Sequence, residues 1–224
     1  NGWDGIFVKQ SKNISLFKNN LYSNEGESIS IYQSTYINIS NNKMQENGIS
    51  IDGSKKQYWN THEIDESNLV DGDPIIYWKN RQNGTVPTNA AKVILANCTD
   101  VTVEEQKING VDSGIELGFS DENKIIDNEL ANLSLAISIE YSKLNTIADN
   151  NISSIGRDGI FIGHSDENFI ENNTIFSITR YGISLIRSEK NHIENNNLYS
   201  NDKYAIAVRL SCNNNIVSNN TISG

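Results

Sequence analysis

A repeat of 22 to 23 residues runs through most of this chain and limits its fold more than any other feature. Ile115, Ile137, Ile160, Ile183 and Ile206 lie 22, 23, 23 and 23 residues apart. Five residues after each comes Ser120, Ser142, Ser165, Ser188 or Ser211, and eight after each comes Asn123, Asn145, Asn168, Asn191 or Asn214. Ten after each come Ile125, Ile147, Ile170 and Ile193, with Ile216 or Val217 in the last copy. Towards the N-terminus, Ile6, Ser11, Ile14, Leu16, Asn19 and Leu21 recur 23 residues later as Ile29, Ser34, Ile37, Ile39, Asn42 and Met44, and another copy begins at Ile49 and Ile51. Val93, Cys98, Val103 and Ile108 precede Ile115, Ser120, Ile125 and Leu130 by 22. Only the stretch from about Lys55 to Lys92, which holds both prolines, is out of step. A fixed period of this length means a stack of one small unit.

One unit is "DGIFIGHSDENFIENNTI", Asp158 to Ile175. Ile160 and Ile162 alternate with Phe161 and Gly163, the period of a strand, and short runs are separated by Ser, Asn, Asp and Gly. No stretch carries a sustained helical apolar face. The spacing predicts an all-β, single-stranded parallel β-helix of about ten coils, 22 to 23 residues each. At roughly 4.8 Å per coil it would be a rod on the order of 45 Å long. The chain reads as one domain over 1–224, with N-terminal coils in 1–54, an irregular linking segment in 55–92 and regular coils in 93–224. Inward Ile, Leu and Val would stack into apolar columns. The repeated Asn would form ladders at bends, each amide bonding those above and below.

The net charge of −10 argues against nucleic acid and anionic membrane surfaces as partners, and no apolar run is long enough to span a bilayer. Cys98 and Cys212 occupy nearly the same place in coils about five rungs apart, roughly 24 Å, so they cannot pair. The sequons at Asn13, Asn38, Asn97 and Asn151 are what an Asn-rich chain produces by chance. The chain starts at Asn1 and stops after "NNTISG" with no polar cap, which leads us to expect a piece of a longer protein. Further coils, self-association or a neighbouring domain would then cover the open C-terminal edge.

Stacking the outward positions gives the candidate binding residues. In register, Tyr141, His164 and Arg187 sit on consecutive rungs with Glu140 and Arg209 beside them. An aromatic ring, an imidazole, a guanidinium and a carboxylate could hold a glycan by stacking and bidentate hydrogen bonds, or abstract a proton. A varied column beside a bend is also what a plain solvated face looks like. No catalytic residue is assigned. The densest acidic stretch, "HEIDESNLVDGD", offers Asp65, Asp71 and Asp73 as oxygen ligands for calcium, the only cofactor the sequence suggests. A solvated acidic loop explains the same residues.

Coils such as "YGISLIRSEKNHIENNNL" from Tyr181 and "DGIFIGHSDENFIENNTI" from Asp158 resemble the parallel β-helix repeats of the NosD type, also described as carbohydrate-binding and sugar-hydrolase (CASH) domains. "NLVDGDPIIYWKNRQNGTVPTNAAKVILANCTDVTVEEQKI", Asn68 to Ile108, resembles the segment that links two blocks of coils in surface proteins of that family, many of them archaeal. The resemblance covers nearly the whole chain and implies a right-handed helix, in line with the general hand of parallel crossovers. It implies an extracellular or cell-surface module that is structural or adhesive, that contacts glycan or another envelope polymer, or that self-assembles. The alternative is a polysaccharide lyase, epimerase or hydrolase, since enzymes are also built on this fold. The chain lacks the Asp-Pro-His motif of mannuronan epimerases. NosD itself serves copper-site maturation, which calls for clustered Cys, Met or His. Here one Met (Met44), three scattered His and two unpaired Cys speak against that role. A groove with converging, perturbed ionisable groups would favour an enzyme, and a plain outer surface would favour a structural module.

Overall fold

The computed structural model describes residues 3–224 and is an all-β parallel solenoid of about nine turns, with one single-turn helix, Gln57–Asn60, among the described residues. No helix of the described residues is long and apolar enough to cross a membrane.

A regular coil has three strands, as in Ser113–Gly118, Lys124–Ile126 and Glu129–Ala131. Each strand pairs in parallel with its equivalent in the next coil, so the sequence period becomes spatial register. Ile115, Ile137, Ile160, Ile183 and Ile206 are consecutive partners on the first sheet. Ile125, Ile147, Ile170, Ile193 and Val217 follow on the second, which settles the last position in favour of Val217. Leu130, Ile152, Ile175, Leu198 and Ile222 follow on the third. Except at the last coil these side chains are fully buried and belong to one continuous apolar core.

The corners explain the polar columns. Phe119, Tyr141, His164, Arg187 and Leu210 all adopt left-handed backbone, with φ between 50° and 55°, at the bend from first to second strand. That conformation costs an L-residue about 1 kcal/mol. It is held because the corner N–H groups from Phe119 to Arg187 donate to the coil above, as Tyr141 does to Gly163 and His164 to Ile186 at 3.1 and 3.0 Å. Just past the corner, the N–H of each residue from Cys98 to Ser165 in the column donates to the next serine hydroxyl at 2.8–3.0 Å.

The asparagines form two internal ladders. Asn145 N and Nδ2 both donate to Asn168 Oδ1, at 2.9 and 3.0 Å, and Nδ2 also donates to the Ser120 carbonyl at 2.9 Å. The same pattern links Asn123, Asn145, Asn168, Asn191 and Asn215, and a second ladder links Asn128, Asn150, Asn173, Asn196 and Asn220. In the last coil the expected Ser211 and Asn214 are each replaced by the next residue. The Ser188 N–H meets Cys212 Sγ at 3.4 Å and the Asn191 N–H meets Asn215 Oδ1 at 2.8 Å. Leu210 and Ser211 are both left-handed, with φ of 55° and 59°, and this doubled bend absorbs one extra residue.

The stretch 55–92 is not irregular throughout. Glu63–Ile64 pairs with Asn38–Ser40, and Leu69–Val70 pairs with Lys43–Met44, so the third coil continues in register to Val70. The chain then reverses. Asp73 and Pro74 pair antiparallel with Val70 and Leu69 around Asp71 and Gly72, whose φ values of 51° and 103° are those of a tight hairpin turn. Asp73–Lys79 next pairs in parallel with Lys92–Ala96, and the remaining coils stack on from there. The coils are therefore two blocks wound in opposite strand directions about a common wall, not one uninterrupted rod.

Alternation along that wall serves both blocks. Ile76 and Val93 continue the Ile115 column of the second block. Their neighbours face the first block: Ile75 lies against Gly48, Tyr77 Oη donates to the Trp59 carbonyl at 2.5 Å, and Lys92 reaches Glu27. Trp59 closes the joint. Its Nε1 donates to the Gly53 carbonyl at 2.8 Å, and its ring lies so close to Gly118 that a Cβ there would stand 2.1 Å from it. The glycine is required by this contact.

Candidate functional site

Because the first block leans over the first sheet of the second block, that sheet is covered on its outer side as well. Every residue of Ser113–Gly118 is buried. Between the blocks lies a cleft of about 400 Å³. Its floor is formed by Glu116, Ser138, Glu140 and Phe161, and its opposite wall by Glu27, Ser50 and Asp52.

At the closed end sits Lys92, fully buried, with its ammonium 2.9 Å from Glu116 Oε1 and 3.6 Å from Glu27 Oε1. It also donates to the Ser113 hydroxyl, which in turn donates to Glu116. Burial alone would depress the lysine; the Glu116 and Glu27 carboxylates outweigh it and hold the ammonium above its usual value. Burial pushes the Glu27 carboxyl up to about 8, against the pull of Lys92 and with help from the charges of Asp112 and Glu116. With Glu27 protonated, the group of Lys92, Glu116 and Glu27 is neutral. It pins the first block to the second.

Towards the open end, burial followed by the charges of Asp52 and Glu116 pushes the Glu140 carboxyl up to about 7. Asp52 is raised by burial and by Glu116, partly offset by the Gly53 N–H. Three carboxyls of this cleft therefore hold their protons more tightly than ordinary side chains do. A carboxyl that titrates near neutrality can both give and take a proton.

The five expected binding residues divide among three places. Tyr141 and His164 stack at 4.8 Å with 12° between planes, Phe119 extends the stack at 4.9 Å, and Arg187 Nη1 lies 3.4 Å from His164 Nε2. The three-rung column is therefore formed, on the exposed corner between sheets. Burial and the Arg187 charge lower the His164 imidazole. Glu140 turns into the cleft instead. Arg209 lies over the Tyr181 ring at 4.5 Å, at the far end of the first sheet. The sequence reading did not single out Glu27, Asp52, Lys92, Glu116 or Phe161 as binding residues. No sequence signal joins Glu27 and Asp52 to Glu116 and Glu140, because only the chain reversal brings them together.

The acidic loop does not converge. Asp65 Oδ1 accepts the Ser67 N–H at 3.1 Å, Asp71 Oδ2 accepts the Glu46 N–H at 3.1 Å, and Asp73 begins the reversed strand. Among the described residues no group of three or more His, Cys, Asp or Glu is placed to hold a metal ion.

The sequence model of the family described as "Periplasmic copper-binding protein (NosD)" matches residues 68–224. The chain belongs to the NosD family. Comparison with curated proteins finds no sequence match. Among solved structures, the periplasmic alginate epimerase AlgG superposes with a TM-score of 0.52 at 12% identity, over 93% of this chain and 61% of that one. The enzymatically active domain of bacteriophage CBA120 tailspike protein 2 gives 0.46 at 10% identity, over 97% and 42%. The A-module of the Azotobacter vinelandii mannuronan C-5 epimerase AlgE6 gives 0.32 at 12%, over 95% and 65%. This NosD-family chain thus spans less than two thirds of each, and at 12% identity the likeness to the alginate epimerase is one of fold.

Copper does not fit the side chains of this NosD-family member. Met44 and Cys98 are buried in the two blocks, and Cys212 lies at the other end of the serine column. His62 is buried, with Nε2 on the Tyr58 carbonyl at 2.8 Å and Nδ1 facing the Ile37 N–H at 3.3 Å. His164 is in the aromatic stack and His192 stands 3.5 Å from Glu194. No two of the soft ligands share a site.

Proposed function

We propose that this chain is an extracytoplasmic β-helix module, displayed at the cell surface, that binds a saccharide chain in the cleft between its blocks and acts on it by proton transfer. The observation that carries this reading is the Glu140 carboxyl, pushed up to about 7 on the floor of an open cleft beside Asp52. The ring of Phe161 supplies an apolar surface for a sugar face. The family's description as periplasmic and the fold shared with an alginate epimerase are in keeping with an extracytoplasmic saccharide polymer as ligand. Without an Asp-Pro-His motif, the proton-transfer role falls to Glu140, acting ionised as a general base.

The test is a saccharide-binding screen followed by product analysis on any polymer bound. Glu140→Gln should lower turnover by about 100-fold or more while binding changes only a few-fold. The wild-type rate should rise with pH through about 7 and level off above, as the base becomes ionised. A chain that binds no saccharide at all would sink the proposal.

A further inference from the structure

Four of the five arginines, Arg157, Arg180, Arg187 and Arg209, lie in the last coils of a chain with net charge −10. Two of them gather around one ring on the outer side of the first sheet. The Arg209 guanidinium lies 4.5 Å and the Arg180 guanidinium 5.0 Å from the Tyr181 ring centre, with the Lys203 ammonium at 5.9 Å. Tyr204 continues the ring stack at 5.8 Å and is largely exposed. Arg180 is satisfied: its Nε and Nη2 grip the two oxygens of Asp158 at 2.7 and 2.8 Å.

Arg209 presents the same Nε and Nη2 fork, but both atoms are buried and have no hydrogen-bond partner among the described residues. A buried cationic N–H without an acceptor is costlier than a neutral one, and a bidentate anion is the group that satisfies this fork. Register fixes where that anion would stand. Glu140, Gly163, Ile186 and Arg209 are consecutive partners on the sheet, so Arg209 lies three rungs, about 14 Å, from the proton-transfer carboxyl. Gly163, with the Phe161 ring against it, and Ile186 lie between them.

We infer that Arg209 is an anion subsite, backed by Tyr181 and flanked by Lys203, that takes the carboxylate or sulfate of an acidic saccharide lying along the first sheet from Glu140. This rests on the saccharide reading above. The chain's own excess of acid keeps an acidic ligand away from most of its surface, so charge would fix which end of the ligand reaches Arg209.

Calorimetric titration with trigalacturonate, a sulfated trisaccharide and neutral galactotriose tests it. At least one acidic ligand should bind 10-fold or more tighter than the neutral one. Arg209→Gln should erase that preference and leave neutral binding unchanged, while Arg209→Lys, which keeps the charge but not the fork, should restore only part. The thermal midpoint of each variant without ligand controls for loss of the Arg209 contact with the Tyr181 ring. Whether carboxylate or sulfate binds better identifies the acid. Equal binding of acidic and neutral ligands, or a preference that survives Arg209→Gln, overturns the subsite and leaves the saccharide reading standing. Failure of all three ligands to bind overturns the subsite, and only failure of the whole saccharide screen overturns the saccharide reading as well.

Discussion

Lys92→Met will lower the stability of the folded chain by about 3–5 kcal/mol at neutral pH, measured by denaturant unfolding. The substitution fills a similar space but leaves Glu116 and Glu27 buried together without their cation. The loss should shrink in acid, where a carboxyl can be neutralised by a proton instead. The same group makes the wild type sensitive to base. Glu27 has a folded value near 8 against about 4.5 when unfolded, so the folded state binds this proton more tightly. Its contribution is fully present below about 4.5 and is lost as pH rises through about 8. Glu140 acts in the same sense around 7, so the clean comparison is with Glu27→Gln, which keeps the hydrogen-bonding shape and cannot ionise. That variant should lose less stability than the wild type between pH 6 and 9. A wild-type melting temperature that stays flat over this range would refute the neutral-group account.

Asn168→Ala should cost on the order of 3 kcal/mol or more, because the change strands several groups at once. Asn145 loses the acceptor for both its N–H and its amide, and the Ser142 and Asp166 carbonyls lose a donor. Asn168→Asp should be nearly as severe, since a carboxylate can accept from Asn145 but cannot donate to Asn191 Oδ1 or Ser142. Asn215→Ala, at the end of the same ladder, should cost less than half as much. Asn215 accepts only from Asn191 and donates to the Ser188 carbonyl in partly solvated surroundings. Equal losses at the two positions would show that the ladder does not act as an internal chain of bonds.

Much of the fold was legible because the solenoid converts sequence period directly into register. The isoleucine columns, the serine column as far as Ser188 and the place of Cys98 follow from counting alone. Counting failed where spacing is not the governing variable. The last coil slips by one because Ser211 adopts a second left-handed bend after Leu210, and its identity does not announce this. The reversal at Asp71–Gly72 was legible in principle, since Asp-Gly between apolar runs is a strong hairpin signal. It was passed over because residues 55–92 were read only as an irregular link between coils. The candidate site was the least legible part. Tyr141, His164 and Arg187 align as their spacing demands, yet the cleft depends on Glu27 and Asp52, which only the reversal sets against Glu116 and Glu140.

The shared wall gives the molecule an unusual kind of growth. Inserting or deleting one 23-residue coil in the second block leaves every neighbour contact of the remaining coils in kind. The joint near Lys92 is untouched by such an event, so Glu140 stays where it is and the far end of the sheet moves by one strand spacing, about 4.8 Å. Distance along the outer face is thus quantised, and duplication of a single cassette would act as a ruler that resets how long a chain the surface can measure.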